Sequence, residues 1–148
     1  MAYYLNLFSP ETYAAFSRSS KTLSGFRLRQ SAAAERVRPG DVFVCYVTKV
    51  SRWCGLLDVA GGPFLDPSSI FAPQDDPFVV RFQVFPRIWL PLDRALPIHD
   101  AAVWNGLSFT QHVEPGSTAW AAHVRASLAR LDDNDGDLLT ELLTARKA

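Results

Sequence analysis

A chain of 148 residues has room for one domain with one core and too little for two. Apolar residues make up 48% of it, which excludes wholesale disorder. The formal net charge of zero excludes a molecule that binds polyanions through its overall charge.

The first predicted element is a strand, "YYLNLF", Tyr3 to Phe8, aromatic-rich and alternating. "SPETYAAFSRS" then opens a helix: Ser9 is the N-cap, Pro10 suits the first turn and Glu11 complements the dipole. "SSKTLSGFRLRQ", Ser19 to Gln30, is polar, basic and without a clean period, so it reads as a loop. "SAAAERVR" predicts a short helix and "RPGD" a turn. "DVFVCYVT", Asp41 to Thr48, is apolar on both faces, as a central or barrel strand is. "WCGLLDV" pairs with it across the loop Lys49–Arg52 and ends at Gly61–Gly62–Pro63. "FLDPSSIFAPQDDP" is a Pro- and acid-rich excursion, and "FVVRFQVFPRIWL" a long strand with a bulge or edge at Pro86. "LPLDRALPIHD" and "VWNGLSFTQHV" hold only short elements. Ser117 caps a predicted helix over "TAWAAHVRASLARL", with Trp120, Val124, Ser127/Leu128 and Leu131 on one stripe. "DDNDGD" breaks it as an acidic helix-start turn, and "LLTELLTARKA" forms the last helix. Strands in the middle with helices at both ends define an α+β chain built on a small, curved, mostly antiparallel sheet or barrel.

Charge is uneven along the chain. The first 52 residues carry eight bases against three acids, a surplus of five that the remainder balances. Such asymmetry points to a basic face, read either as solvated helix surface or as a phosphate-facing patch. The residues behind the second reading are Lys21, Arg27, Arg29, Lys49, Arg52 and, further on, Arg81. Arg81 interrupts an apolar strand, so it is a buried bridge or a phosphate contact. Cys45 and Cys54 lie on consecutive strands and read as buried, reduced thiols rather than a disulfide framework. The N-terminus has no basic stretch leading into an apolar run, and no apolar run reaches the ~18 residues that span a bilayer. The expectation is a cytoplasmic protein with no membrane partner.

His99, His112 and His123 stand apart from one another at no metal-ligand spacing, and no Gly-rich phosphate loop or nucleophile elbow occurs. No metal, cofactor or catalytic residue is assigned.

Taken in order, "YYLNLFSPETYAAF", "SGFRLRQ", "RPGDVFVCYVTKVSRWCGLLDV" and "DDPFVVRFQV" resemble the EVE domain, a member of the PUA-like superfamily beside the YTH and ASCH domains. The resemblance spans Ala2 to Ile98, and the helical extension from about 117 to 146 matches less closely. It implies a single PUA-like domain over residues 1–148: a twisted antiparallel β-barrel flanked by helices. It also implies a pocket for one flipped nucleobase, often a modified one, in DNA or RNA. YTH domains hold a methylated adenine in an aromatic cage; this chain has fewer tryptophans in those regions, so the modification stays open. A flipped base needs aromatic planes, hydrogen bonds to its edge and a basic rim. The candidates for the pocket are Ser9, Ser24, Phe26, Tyr46, Thr48, Trp53 and Asp66. Five of the seven have a second reading. Trp53 and Tyr46 are otherwise core residues, Phe26 an anchor for its loop, Ser9 an N-cap and Asp66 the start of a turn. With no enzyme attached, a reader acts through an effector protein or by occupying its target. Two rival classes remain. An ASCH-like hydrolase of a modified pyrimidine nucleoside would use Lys21 with Thr22, or Thr48 with Lys49, plus Glu35. A protein-interaction module would use the same groove.

Overall fold

The computed structural model describes residues 1–72, 75–114 and 116–147. Pro73 and Gln74 of the acidic excursion, Pro115, and Ala148 of the last predicted helix lie outside the described residues. The strands are β1 (Tyr3–Phe8), β2 (Leu23–Phe26), β3 (Val42–Val47), β4 (Arg52–Leu65), β5 (Val80–Trp89), β6 (Leu96–Pro97) and β7 (Arg130–Leu131). The helices are α1 (Pro10–Arg18), α2 (Ser31–Ala34), α3 (Ala101–Trp104) and α4 (Asp133–Arg146). The sheet runs β2-β5-β4-β3-β1-β7, with β6 added to β4. The β1–β3 pair is parallel and the other pairs are antiparallel. This is a curled, mixed half-barrel of α+β class.

Central placement of β3 explains its composition: all six residues are buried, because both faces of the sheet are covered. Period-two alternation sends Phe43, Cys45 and Val47 to one core, with Phe26, Phe71 and Phe82, and sends Val44 and Tyr46 to the other, with Trp53, Trp104 and Trp120. In the first core Phe26, Phe43 and Phe82 meet edge-to-face in a mutual trio at 5.2–5.8 Å, each contact worth about 0.5–1.5 kcal/mol beyond its buried area. Cys45 and Cys54 are free and buried, and burial pushes both thiols up, so neither is a ready nucleophile. The bulge expected near Pro86 is present as a register shift between β4 and β5 at Leu56/Leu57.

Three local expectations are corrected. The segment Ser19–Gln30 is not all loop: Leu23–Phe26 pairs with β5, and Leu28–Gln30 forms a 3₁₀ turn. Tertiary pairing supplies what the polar sequence does not signal. β4 does not stop at Gly61–Gly62–Pro63 but continues to Leu65, the two glycines absorbing further register shifts. The helix expected from Ser117 to Leu131 is a 3₁₀ segment, Ala119–Val124, followed by bends and a turn that lead into the two-residue β7 beside β1. The reversal sits at Leu128, with a φ of 66°. Its amide donates to the Leu5 carbonyl, and Leu5 donates to Ala129. Trp120, Val124, Leu128 and Leu131 are all buried, so the apolar stripe is real but is not presented by one helix. The acidic turn opens α4 itself, with Asp132 accepting from the Asn134 amide.

Candidate functional site

The half-barrel fails to close between β1 and β2. Each is hydrogen-bonded to other strands, and between them there is a side-chain link, Asn6 Nδ2 donating to Ser24 Oγ at 2.6 Å. A cleft of about 590 Å³ opens along this seam, within the 300–1,000 Å³ range of ligand sites. One wall is the end of β1 and the cap of α1. There Ser9 and Thr12 form a reciprocal capping box, Thr12 N to Ser9 Oγ at 3.1 Å and Ser9 N to Thr12 Oγ1 at 2.9 Å. The other wall is β2 and the turn after it. The floor and far end come from the C-terminal run: Ser127 Oγ accepts from the Leu7 amide at 2.8 Å, and Gln30 Nε2 donates to the Ser127 carbonyl at 3.0 Å.

Gly25 sits where β2 meets the cleft. The Val84 amide donates to the Thr22 carbonyl, so in this antiparallel pair residues 22, 24 and 26 exchange ladder bonds with β5. Gly25 is out of that phase. Its amide and carbonyl turn away from β5 toward the seam, a donor and an acceptor side by side.

The aromatic surface of the cleft is Phe78, half-buried, with the Arg27 guanidinium 5.1 Å from its ring centroid. Phe78 belongs to the loop between β4 and β5, and a buried buckle fixes that loop. Asp76 Oδ2 accepts from the amides of Ile70 at 2.9 Å, Phe71 at 2.8 Å and Ala72 at 3.3 Å, and Oδ1 from Phe78 at 2.9 Å. Arg81, with no exposed side-chain surface, pairs with Asp76 at 3.5 Å and Asp66 at 3.3 Å. It also donates to Ser68 and to the Phe78 carbonyl. Burial pushes the Asp76 carboxyl up, but the four amides outweigh it and hold the group below the ordinary carboxylate value. Stability from this depressed group is whole above about pH 4 and fades as pH falls below it. Asp76→Asn should cost about 3–5 kcal/mol, as breaking a buried charged pair does. Melting curves measured from about pH 3 to 7 should show the variant losing the acid-side fall that the wild type shows.

Of the sequence-derived pocket residues, Ser9, Phe26 and Thr48 line the cleft. Phe26 does so with 2% of its surface exposed, its ring locked against Phe43 and Phe82, so it anchors β2 rather than offering a free face. Trp53 and Tyr46 are corrected outright. They are fully buried, edge-on to each other at 4.7 Å, in the core on the opposite side of the sheet from the Phe26 cluster. Strand parity put them there. Ser24 is buried beneath the cleft against Asn6, and Asp66 belongs to the Arg81 buckle and the turn at Ser68. Arg81 is therefore the structural bridge and not a phosphate contact.

Arg27 and Arg29 stand exposed at the mouth, as the basic-patch reading expects. Lys21 instead turns back to the Ser17 carbonyl at 3.3 Å, and Arg52 donates to the Leu92 carbonyl at the far side of the hairpin. Lys49 is exposed in the hairpin turn and contributes nothing to the cleft lining. The groups offered for hydrolysis do not converge: Thr48 lines the cleft, while Glu35 lines a separate groove with Phe64 and Val80. Among the described residues no three metal-ligating side chains stand together, and no helix is long and apolar enough to cross a membrane.

Sequence reasoning missed Arg125, Ser127, Gln30 and Phe78. Arg125 completes a set of three exposed arginines around the cleft, and no carboxylate is among its lining residues. None of the three is in an ion pair among the described residues. Phe78 carried a legible signal, an aromatic next to Pro at the end of an acidic loop. Arg125 and Ser127 carried none, since only the fold brings them to β1.

No protein-family model and no curated protein matches this sequence. Solved structures do share the fold, which is that of YTH domains. The Pho92 YTH domain in complex with m6A aligns with a TM-score of 0.64 at 13% identity, over 96% of this chain and 82% of that one. The YTH domain of the Zygosaccharomyces rouxii MRB1 protein, in complex with N6-methyladenosine RNA, aligns at 0.59 and 10% identity, over 99% and 85%. Rpa0253 from Rhodopseudomonas palustris aligns at 0.55 and 14% identity, over 98% and 94%.

Proposed function

We propose that this chain is a nucleic-acid-binding reader that takes one modified nucleobase, flipped out of its strand, into the cleft between β1 and β2. The observation that carries the reading is the composition of that cleft. It joins a half-buried aromatic face at Phe78, a peptide edge at Gly25 turned toward the seam, and arginines at 27, 29 and 125 with no carboxylate among the described residues that line the cleft. A base is a flat π surface with a polar edge between two phosphates, and these three features meet those three needs. The YTH likeness supports the reading, because two of the matched domains are described with N6-methyladenosine or m6A. Within that superfamily we assign the chain to the EVE type, on the ordered motifs from Ala2 to Ile98. Its target is DNA or RNA, its working compartment the cytoplasm, and its output passes through an effector protein or through occupancy of the target.

Fluorescence anisotropy with short labelled strands tests this. Unstacking a base costs a few kcal/mol, least in a single strand or at a mismatch. Single-stranded and mismatched DNA or RNA should therefore bind more tightly than matched duplexes, with an affinity that falls steeply with salt. Equal binding to matched duplexes, or binding indifferent to salt, would contradict the reading and favour a protein-interaction groove.

A further inference from the structure

A second cavity, of about 400 Å³, adjoins the cleft and is also within the size range of ligand sites. Ala126 lines both, so the two spaces meet across one residue. Arg125 and Ser127, its chain neighbours, line the cleft, while Ala129, Arg130 and Leu131 line the second cavity. Leu128, with its φ of 66°, stands between the two sets.

The aromatic wall of the second cavity is a stacked pair. The His123 ring lies 4.9 Å from that of Phe109, at an interplanar angle of 18°. Phe109 is half-buried and backs the imidazole, whereas His123 is exposed and leaves ring surface to the cavity. The inner polar group is Asp135, 3% exposed, in the first turn of α4. The Ser108 amide donates to its Oδ1 at 2.8 Å, and the Ser108 hydroxyl donates to its Oδ2. Beyond those bonds each carboxylate oxygen keeps a second acceptor site. Asp132 adds an exposed carboxylate at the rim, and the lining arginine, Arg130, is held by Asp133 at 3.0 Å.

Resting on the base-reader assignment, we propose that this cavity receives the base next to the flipped one and selects a base that bears an exocyclic amino group. A flat ring laid on His123 gains the stacking that every base offers. The carboxylates then meet its edge. Adenine, cytosine and guanine present amino donors there, which a carboxylate accepts. Uracil and thymine set carbonyl oxygens on both sides of their one N–H, and a carboxylate repels them while its own acceptor sites go unmet. Two carboxylates against one paired arginine also keep phosphate out, so the linking phosphate stays beside Arg125 on the cleft side. The cavity thus ties the flipped base to a sequence context that the cleft alone does not read.

The test is a panel of short single strands, DNA and RNA, whose central base is unmodified or methylated adenine or cytosine and is held fixed within each series. The neighbour on either side is varied among adenine, cytosine, guanine, uracil or thymine, and an abasic site. The panel is titrated against the wild type, His123→Ala, His123→Phe, Asp135→Asn and Asp132→Asn, with melting curves on each. On one side of the centre, an amino-bearing neighbour should bind about tenfold more tightly than uracil, thymine or an abasic site. On the other side the same changes should matter little. His123→Ala should lose about fivefold or more for strands with an amino-bearing neighbour, keep the wild-type salt slope, and be rescued by His123→Phe. Asp135→Asn offers an amide donor as well as an acceptor, and should admit uracil and thymine as readily as the other bases. If that buried variant does not fold, Asp132→Asn carries the test, since asparagine keeps the N-cap, and it should weaken the same preference. Indifference to both neighbours in the wild type, or a preference unchanged in His123→Ala or in the folded aspartate variants, overturns the proposal and leaves the cleft standing. No binding to any strand overturns the base-reader assignment with it.

Discussion

Trp53→Ala should destabilise the protein by about 3–5 kcal/mol, the cost of emptying a large aromatic site in a packed core. In a chain of this size that lowers the melting temperature by roughly 10 °C or more. A Trp53 that walled the pocket would give the opposite, a stable variant that has lost its ligand. The structure reverses it because the Trp53 side chain is enclosed by Tyr46 and the β3–β4 core, with none of its surface exposed. Its Nε1 finds no hydrogen-bond partner among the described residues, so part of what the indole contributes by burial is already offset by an unmet donor. Trp53→Phe removes that donor and keeps a ring, and should recover a good part of the loss. Affinity for nucleic acid, measured on whatever fraction remains folded, should be unchanged in both variants.

Reversing Arg27, Arg29 and Arg125 together to Glu should nearly abolish binding while leaving the melting temperature within a few degrees. All three are exposed and outside every ion pair among the described residues, so the fold does not lean on them. Each phosphate contact to a single strand contributes a salt slope of about −0.7. Three contacts amount to a slope near −2, or about a hundredfold in affinity at 0.1 M salt, before the repulsion of the new carboxylates is added. The loss should be the same for modified and unmodified strands, because phosphate contacts position and do not specify. Lys49→Glu and Arg52→Glu, on the hairpin, serve as the comparison and should change affinity far less.

How the sequence reading succeeded and failed follows from what strands reveal. β3 and the start of β4 were found without difficulty, since an apolar, β-branched and aromatic run has few other uses. The same composition hid their orientation. "VFVCYV" is apolar at every position, so nothing in it tells which residues face the cleft side of the sheet. Tyr46 and Trp53 stood as candidates for both the pocket and the core for that reason, and strand parity gives them to the core. Phe26 was found because its neighbours are polar, yet its ring serves the core and Phe78 supplies the exposed face. Arg27 and Arg29 were legible as local charge. Arg125 and Ser127 were not, because they reach the cleft only through the pairing of residues near 130 with β1. Arg81 was posed correctly as a choice, and the buried carboxylate of Asp76 decides it.

The most direct measurement is an amide chemical-shift map of the labelled protein titrated with a single-stranded oligonucleotide that binds it. The account predicts the largest changes at Gly25, Arg27, Phe78, Arg125 and Ser127, with Trp53, Arg52 and the hairpin turn unmoved. Shifts centred on the hairpin and Lys49–Arg52, with the β1–β2 seam silent, would contradict it.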